Sequence, residues 1–227
     1  MRNLFKLLFH RYKTKEKPVA EGKWTNSANY WENRYANGGN SGIGSYGRLA
    51  QFKAEIINQF VKDHNIKTVI EWGCGDGNQL GLADYPQYTG YDVSNEAIII
   101  CRRKFKDDAT KMFIHCGNTG SITDKTAELT LSLDVLYHLI EDNVYESYMK
   151  RLFETSSRYV CIYSCNNDSP IPVQHVKQRI FTQWIDHNVA TEWNLIKHIP
   201  NSFPYNPDDK ETSWSEFYFY EKTVSQQ

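Results

Sequence analysis

The chain has 227 residues and a formal net charge of −1, and 14% of its residues are aromatic. This length suffices for one α/β domain with a sizeable core, and the near-neutral charge argues against a nucleic-acid partner, which needs a basic surface. The five cysteines contain no C-x-x-C pair, so neither a disulfide framework nor a zinc site is expected, and a reducing cytoplasm fits.

The first segment, residues 1–20, mixes apolar residues with several Lys and Arg side chains. Its apolar run is far too short to cross a bilayer, and it lacks the small-residue cleavage site of a signal peptide. Two interpretations stay open: a basic amphipathic arm that binds the inner membrane face or a partner, and a frayed terminus. The rest of the chain, residues 21–227, is predicted to form one domain.

Residues 21–64 are predicted to form helices that precede the core. A short helix over Asn29–Tyr35 is followed by a loop, Gly38–Gly47, that contains five glycines. Such a loop could close over a ligand or act as a linker. A second helix is predicted from Arg48 to Asp63, with one apolar stripe facing the core.

The most informative stretch opens the predicted core, residues 65–165. An apolar run ends in Glu71 and is followed by glycines at alternate positions, Gly73, Gly75 and Gly77. This pattern indicates a buried parallel strand that enters a tight turn and then a helix. Glycine allows positive φ and lets a ligand lie against the main chain. We expect the turn and the helix start to offer free N–H groups.

The spacing of these glycines distinguishes two kinds of ligand. A dinucleotide fingerprint is G-x-G-x-x-G, whereas this chain has G-x-G-x-G with Glu71 before it and Asp76 inside it. Two carboxylates would repel a pyrophosphate but would suit a nucleoside that carries a cation. The next predicted strand ends in Asp92. An acid at that distance from the turn can hydrogen-bond the hydroxyls of a nucleoside ribose.

Strands and helices alternate through the remaining core. Ser94 can cap a helix, and Lys111–His115 forms a third predicted strand. A fourth strand with its exit covers Leu129–Leu139, and a fifth covers Arg158–Cys165, with a helix around Val144–Leu152 between them. The carboxyl end of the fourth strand should lie beside the glycine turn, because ligands bind where the strand order of such a sheet reverses.

Beyond the core, residues 166–227 hold five of the seven prolines. A helix is predicted over His175–Asn188, and strands are predicted over Trp193–His198 and Glu216–Glu221. The proline-bearing loops between them lie at one end of the sheet, where they can bind a substrate.

The pattern Glu71-x-Gly73-x-Gly75-x-Gly77, followed by Asp92, resembles the first two motifs of the class I S-adenosylmethionine methyltransferases. The resemblance implies a single Rossmann-like α/β domain with helices on both faces of a seven-stranded, mostly parallel sheet in the order 3-2-1-4-5-7-6. It also implies S-adenosylmethionine as cofactor. The residues expected to contact this cofactor are Arg34, Lys53, Glu71, Gly73, Gly75, Gly77, Asp92, Val93, Asn118 and Leu133.

The segments from Trp31 to Glu55 and from His175 to Tyr220 resemble a narrower group, the methyltransferases associated with bacterial capsule and lipopolysaccharide glycan biosynthesis. This resemblance implies methylation of an oxygen on a surface glycan or on a phosphate-type group attached to it. The N-terminal arm would then bind the inner membrane face or a glycan-assembly partner. Two alternatives stay open: methylation of a small metabolite or lipid-like acceptor, and a partner subunit that binds the cofactor without catalysis.

A sugar hydroxyl is a poor nucleophile while it is protonated, so a general base assists such a transfer. His138, just past the fourth strand, is the first candidate and His175 the alternative, although either could be a packing or capping histidine. Tyr137 and Arg179 are predicted to bind the acceptor, and the cationic cluster of His175, Lys177 and Arg179 suggests an anionic glycan or glycan-linked group. No metal is expected, because the acids near the strand ends have no ligand spacing.

Overall fold

The described part of the molecule comprises residues 24–117 and 125–223 of a computed structural model. The predicted N-terminal arm, residues 1–20, and the candidate cofactor residue Asn118 lie outside the described residues. No helix within the described ranges is long and apolar enough to cross a membrane.

One seven-stranded sheet organises the chain. Its strands are β1 (Thr68–Trp72), β2 (Gln87–Asp92), β3 (Lys111–His115), β4 (Ala127–Leu133), β5 (Ser156–Ser164), β6 (Trp193–Ile199) and β7 (Glu216–Lys222). Their order across the sheet is β3-β2-β1-β4-β5-β7-β6. Strands β1 to β5 run parallel, and β7 pairs antiparallel with both β5 and β6. The predicted order and direction of the strands are therefore confirmed.

Five α-helices accompany the sheet in the described residues. They are α1 (Ser27–Ala36), α2 (Gly47–Asp63), α3 (Asn95–Lys104), α4 (Asp142–Glu154) and α5 (Phe181–Asn188). Asn26 caps α1 by accepting a hydrogen bond from Asn29 N, and Ser94 caps α3 by accepting one from Ala97 N. These side chains satisfy amides that have no partner inside the helix.

Apolar side chains cover both faces of the sheet. Successive residues of a strand point to opposite faces, and accordingly Val69 packs into one core cluster while Ile70 packs into the other. Phe52 of α2 belongs to the first cluster and Met149 of α4 to the second. The helices therefore lie on both faces, as predicted, and the carboxyl ends of the parallel strands remain open at one edge.

Two predicted helices differ from the structure. The glycine turn leads only into a short 3-10 turn, Gln79–Leu82. Asn58 of α2 ends this turn, because its side chain donates to Leu82 O (3.0 Å) and accepts from Asp84 N (2.9 Å).

The helix predicted over His175–Asn188 begins only at Phe181. The residues before it follow the exit of β4 instead, because Lys177 N donates to Tyr137 O (2.8 Å) and Arg179 Nη1 donates to Leu139 O (2.6 Å). These contacts hold the stretch against the exit of β4, and no helix is present there before Phe181.

Candidate functional site

The carboxyl ends of β1, β2 and β4 open into one large cavity of about 1580 Å³. Ligands of open α/β sheets bind at this edge, near the point where the strand order reverses. A pocket for one small ligand measures roughly 300–1,000 Å³. This cavity therefore has room for two ligands side by side.

Most of the residues predicted to form the site line this cavity. They are Arg34, Lys53, Glu71, Gly73, Gly75, Asp92, Val93, Leu133, Tyr137, His138 and His175. Gly77 is not among the lining residues. It has φ +67°, and a Cβ there would approach Phe105 Cε2 to 2.8 Å, so its lack of a side chain allows close packing beneath the turn.

The backbone amides of the glycine turn are all occupied within the protein. Gly73 N and Cys74 N donate to Tyr91 O, Gly75 N to Asp92 Oδ2, Asp76 N to Ser41 Oγ, Gly77 N to Cys74 O and Asn78 N to Asp76 Oδ1. The prediction that this turn offers free N–H groups is therefore wrong. A pyrophosphate needs such groups, so the turn is not built to bind one.

Two buried carboxyl groups face the cavity beside this turn. Asp92 accepts hydrogen bonds from Gly75 N (2.9 Å) and Ser94 N (2.8 Å), and Glu71 accepts one from Tyr88 OH (2.6 Å). Burial raises the pKa of Asp92 to about 6 and that of Glu71 to about 7, against the lowering effect of these hydrogen bonds. A nearby cation would favour the charged form of both groups.

Gln79 adds an acceptor to the same side of the cavity. Its Nε2 donates to Ala50 O (3.0 Å), while its Oε1 is buried with no hydrogen-bond partner among the described residues. A buried acceptor without a partner is costly unless a ligand or water satisfies it. Sequence reasoning missed this residue, because a glutamine after the glycine turn belongs to no motif.

Lys53 is fully buried and forms an ion pair with Asp134 at 2.7 Å. Asp134 also accepts hydrogen bonds from Tyr137 OH (3.0 Å) and Ser215 Oγ (2.8 Å). Its φ is +59°, which is uncommon for a residue other than glycine and marks a constrained position. Asp134 therefore joins α2, the exit of β4 and the start of β7 at the floor of the cavity.

The glycine-rich loop between α1 and α2 forms one wall of the cavity. Asp76 Oδ2 accepts hydrogen bonds from Ser41 N (3.0 Å) and Tyr46 OH (2.7 Å), and Asp76 N donates to Ser41 Oγ (3.0 Å). Residues Ser41–Ser45 line the cavity. Asp76 thus holds the loop against the glycine turn, an arrangement that the sequence left open. Arg34 of α1 also stabilises this loop, because its Nε donates a hydrogen bond to Asn40 O (2.6 Å).

Aromatic and imidazole rings form the wall next to the exit of β4. His138 Nδ1 lies 2.8 Å from His175 O. Because a carbonyl oxygen only accepts, Nδ1 carries the proton and Nε2 is left as an acceptor. The His175 ring stacks on Tyr30 at 4.4 Å, and Trp31 meets His138 edge-on at 4.8 Å. Burial lowers the pKa of His138 to about 4, so its ring is neutral at pH 7.

Arg179 is not among the residues that line this cavity. Its Nη2 pairs with Asp142 at 2.8 Å and its guanidinium lies over the Tyr145 ring. Lys177 pairs with the same carboxylate at 2.6 Å. The two cations that suggested an anionic acceptor therefore stabilise the loop before α4.

No group of three or more His, Cys, Asp and Glu side chains in residues 24–117 and 125–223 is arranged to hold a metal ion. The absence of a metal from the reaction stays a prediction.

Comparison with known proteins agrees with this geometry. A family model described as a methyltransferase domain matches residues 70–160. No curated protein matches the chain in sequence. Among solved structures, the N-methyltransferase NodS from Bradyrhizobium japonicum WM9, in complex with S-adenosylhomocysteine, aligns with a TM-score of 0.70 and 13% identity, over 88% of this chain and 100% of NodS.

Two further structures share the fold. Magnesium protoporphyrin IX methyltransferase (ChlM) from Synechocystis PCC 6803, with bound S-adenosylmethionine, has a TM-score of 0.63 and 13% identity, over 89% of this chain and 100% of that chain. The methyltransferase domain of bacterial CtHen1 has a TM-score of 0.59 and 20% identity, over 74% of this chain and 96% of that chain. Residues 70–160 are therefore similar to a methyltransferase domain, and the described chain has the Rossmann-like fold of the methyltransferases NodS, ChlM and CtHen1.

Proposed function

We propose that this chain transfers the methyl group of S-adenosylmethionine to a hydroxyl oxygen of a glycan. One observation carries the cofactor half of the proposal. The glycine turn has no free amide for a phosphate, while Glu71 and Asp92 present carboxyl groups to the same cavity. This combination suits a nucleoside that carries a cation and disfavours a dinucleotide.

The residues of the cavity fit that cofactor. Asp92 has lone pairs left for ribose hydroxyls, and the unpartnered Oε1 of Gln79 is available to an ammonium group. Arg34 and Lys53 both line the cavity and are the two candidates for the cofactor carboxylate. When bound, S-adenosylmethionine supplies an electrophilic methyl group on a good leaving group.

The chain's own task is then to align the acceptor and to remove its proton. We assign the removal of that proton to Nε2 of His138, and this assignment is supported by the contact of Nδ1 with His175 O. The hydrogen bond and the surrounding rings fix the orientation of the imidazole. His175 then acts mainly by positioning His138, although its own ring also lines the cavity.

A glycan is proposed as acceptor because the segment Trp31–Glu55 resembles that of glycan-associated methyltransferases. In addition, the cavity has room for a second ligand, and rings and hydroxyl groups line it. A small-metabolite or lipid-like acceptor is the second candidate, since the wall of Tyr30, Trp31 and His138 is largely aromatic. An anionic acceptor is less favoured than the sequence indicated, because the side chains of Lys177 and Arg179 are already paired with Asp142.

The acceptor is testable with the purified chain and S-adenosylmethionine labelled in the methyl group. Capsule and lipopolysaccharide fragments, nucleotide sugars, small hydroxylated metabolites and lipids would be screened for label transfer and for release of S-adenosylhomocysteine. We expect transfer to a glycan hydroxyl. Transfer to a metabolite or lipid alone would contradict the glycan, and cofactor binding without transfer to any class would favour a non-catalytic subunit.

A further inference from the structure

A stacked aromatic pair at the rim of the cavity is used by none of the steps above. Trp214 exposes 53% of its surface. Its ring stacks on Tyr205 with centroids 4.2 Å apart and planes 18° from parallel. Both residues line the cavity. The fold thus leaves about half of the Trp214 side chain uncovered beside the site, held in place by Tyr205, and an exposed aromatic ring of this kind is a surface on which a ligand can stack.

The loop that carries this pair, residues 205–215, is held at two points. In its middle, Asp209 forms an ion pair with Arg48 of α2. At its carboxyl end, Ser215 Oγ donates to Asp134 Oδ1 at 2.8 Å. The stacked rings are therefore a preformed surface, which lowers the entropic cost of ordering the loop when a ligand binds.

Hydrogen-bonding groups accompany the rings along the same rim. The polar residues of the loop that line the cavity are Asn206, Asp208, Asp209, Lys210, Thr212, Ser213 and Ser215. A sugar ring presents an apolar face of C–H groups and an edge of hydroxyl groups. A flat aromatic surface bordered by donors and acceptors matches both parts.

The charged residues of the loop 205–215 indicate whether it would bind a neutral or an anionic sugar. The loop carries Asp208, Asp209 and Glu211 against Lys210 alone, and Arg48 compensates one of these acids. The rim therefore has no positive excess and favours a neutral ring over an anionic one.

We propose that Tyr205 and Trp214 form a subsite that stacks a neutral pyranose ring of the acceptor. The inference rests on the proposed function, because it takes the acceptor to be a glycan. The subsite holds the sugar at the rim, while the hydroxyl that receives the methyl group lies deeper, at the exit of β4.

Saturation-transfer NMR on the full chain with S-adenosylhomocysteine tests this subsite. The probes are the methyl glycosides of glucose, mannose and galactose, with methyl glucuronide as the anionic sugar and p-cresol as a flat aromatic ring. We expect saturation of the ring C–H protons of at least one neutral glycoside. Trp214→Ala should weaken that binding about two- to tenfold, and Trp214→Phe should retain most of it.

Leu195→Ala is the matched control, because Leu195 is similarly exposed (50%) but lies on β6 and does not line the cavity. Binding of no glycoside, of glucuronide alone or of p-cresol alone would overturn the subsite, and so would equal binding by Trp214→Ala and the parent. Calorimetry with S-adenosylhomocysteine on the same samples separates the two proposals. Retained cofactor affinity without sugar binding refutes only the subsite, whereas absent cofactor affinity refutes the proposed function.

Discussion

At the scale of single residues, the base proposed for the reaction, His138, has one ring nitrogen left to accept a proton but a low basicity. Its Nδ1 proton is engaged by His175 O, which leaves Nε2 to accept a proton. Burial lowers its pKa to about 4, so the ring is neutral through the physiological range. Its contribution must therefore come from position more than from proton affinity.

We expect His138→Ala to lower turnover by about 10²- to 10⁴-fold without changing the affinity for S-adenosylhomocysteine. In the parent saturated with S-adenosylmethionine, the contribution of His138 to turnover should be lost as the pH falls through about 4, where its ring becomes protonated. Release of S-adenosylhomocysteine, measured against pH, checks both expectations. His187→Ala is the control, because that exposed histidine lies on α5 away from the cavity. Unchanged turnover of His138→Ala at every pH would exclude the role of base.

The raised pKa of Glu71 makes the free energy of unfolding fall as the pH rises. Its pKa rises from 4.5 to about 7 on folding, because burial disfavours the charged form. An acid with a raised pKa stabilises the folded state below its unfolded pKa, and this contribution is lost as the pH rises through the folded pKa. Asp92 acts in the same direction, with a pKa raised to about 6.

We therefore expect Glu71→Gln to gain stability relative to the parent as the pH rises from 4.5 to about 7. The gain should reach on the order of 2–3 kcal/mol. Urea unfolding of the cofactor-free protein at a series of pH values measures it. Glu55→Gln, on the exposed face of α2, should show no such trend. A difference between Glu71→Gln and the parent that stays constant with pH would contradict the raised pKa.

At the scale of elements, the loop between α1 and α2 fits the glycine turn closely. Gly75 has φ +55°, and a Cβ there would lie 2.3 Å from Ser41 Oγ and 2.9 Å from Tyr35 OH. Gly38 also has a positive φ (+74°), but a Cβ there would meet nothing within 4 Å. A side chain at either position would therefore strain the backbone, but only a side chain at position 75 would collide with neighbouring atoms.

We expect both Gly75→Ala and Gly38→Ala to lose about 1 kcal/mol of stability through strain. Only Gly75→Ala should also weaken cofactor binding, because it pushes the loop away from the turn. Thermal unfolding and calorimetry with S-adenosylhomocysteine separate these effects. Equal cofactor affinity in the two variants would show that contact between loop and turn does not shape the site.

Elements with a strong local pattern were predictable, and those fixed by distant contacts were not. The apolar runs of β1 and β4 are recognisable strands in the sequence, and the cap Ser94 indicates α3. The irregular path before α5 depends on contacts with the exit of β4, which no local pattern encodes. The same holds for Lys53, whose partner Asp134 lies 81 residues further along the chain.

At the scale of the whole molecule, the proposed cofactor half of the cavity lies beside the glycine turn and the proposed acceptor half beside the exit of β4. The residues of the first half could be predicted better than those of the second. The cofactor half gathers around one contiguous motif, Glu71–Gly77, and the neighbouring end of β2. The acceptor half combines α1, the exit of β4, the stretch before α5 and the loop 205–215. Sequence reasoning named Tyr137, His138 and His175 there, but it missed Tyr205 and Trp214, because no local pattern shows that their loop reaches the cavity.

The central claim is that a cationic nucleoside, S-adenosylmethionine, binds at the ends of β1 and β2, and calorimetry with S-adenosylhomocysteine tests it most directly. The account predicts binding by the parent, no binding of NAD, and an affinity about 10- to 100-fold weaker in Asp92→Asn. The exposed control Asp186→Asn should bind like the parent. Absent affinity of the parent for S-adenosylhomocysteine, or an Asp92→Asn variant that binds as tightly as the parent, would contradict the account.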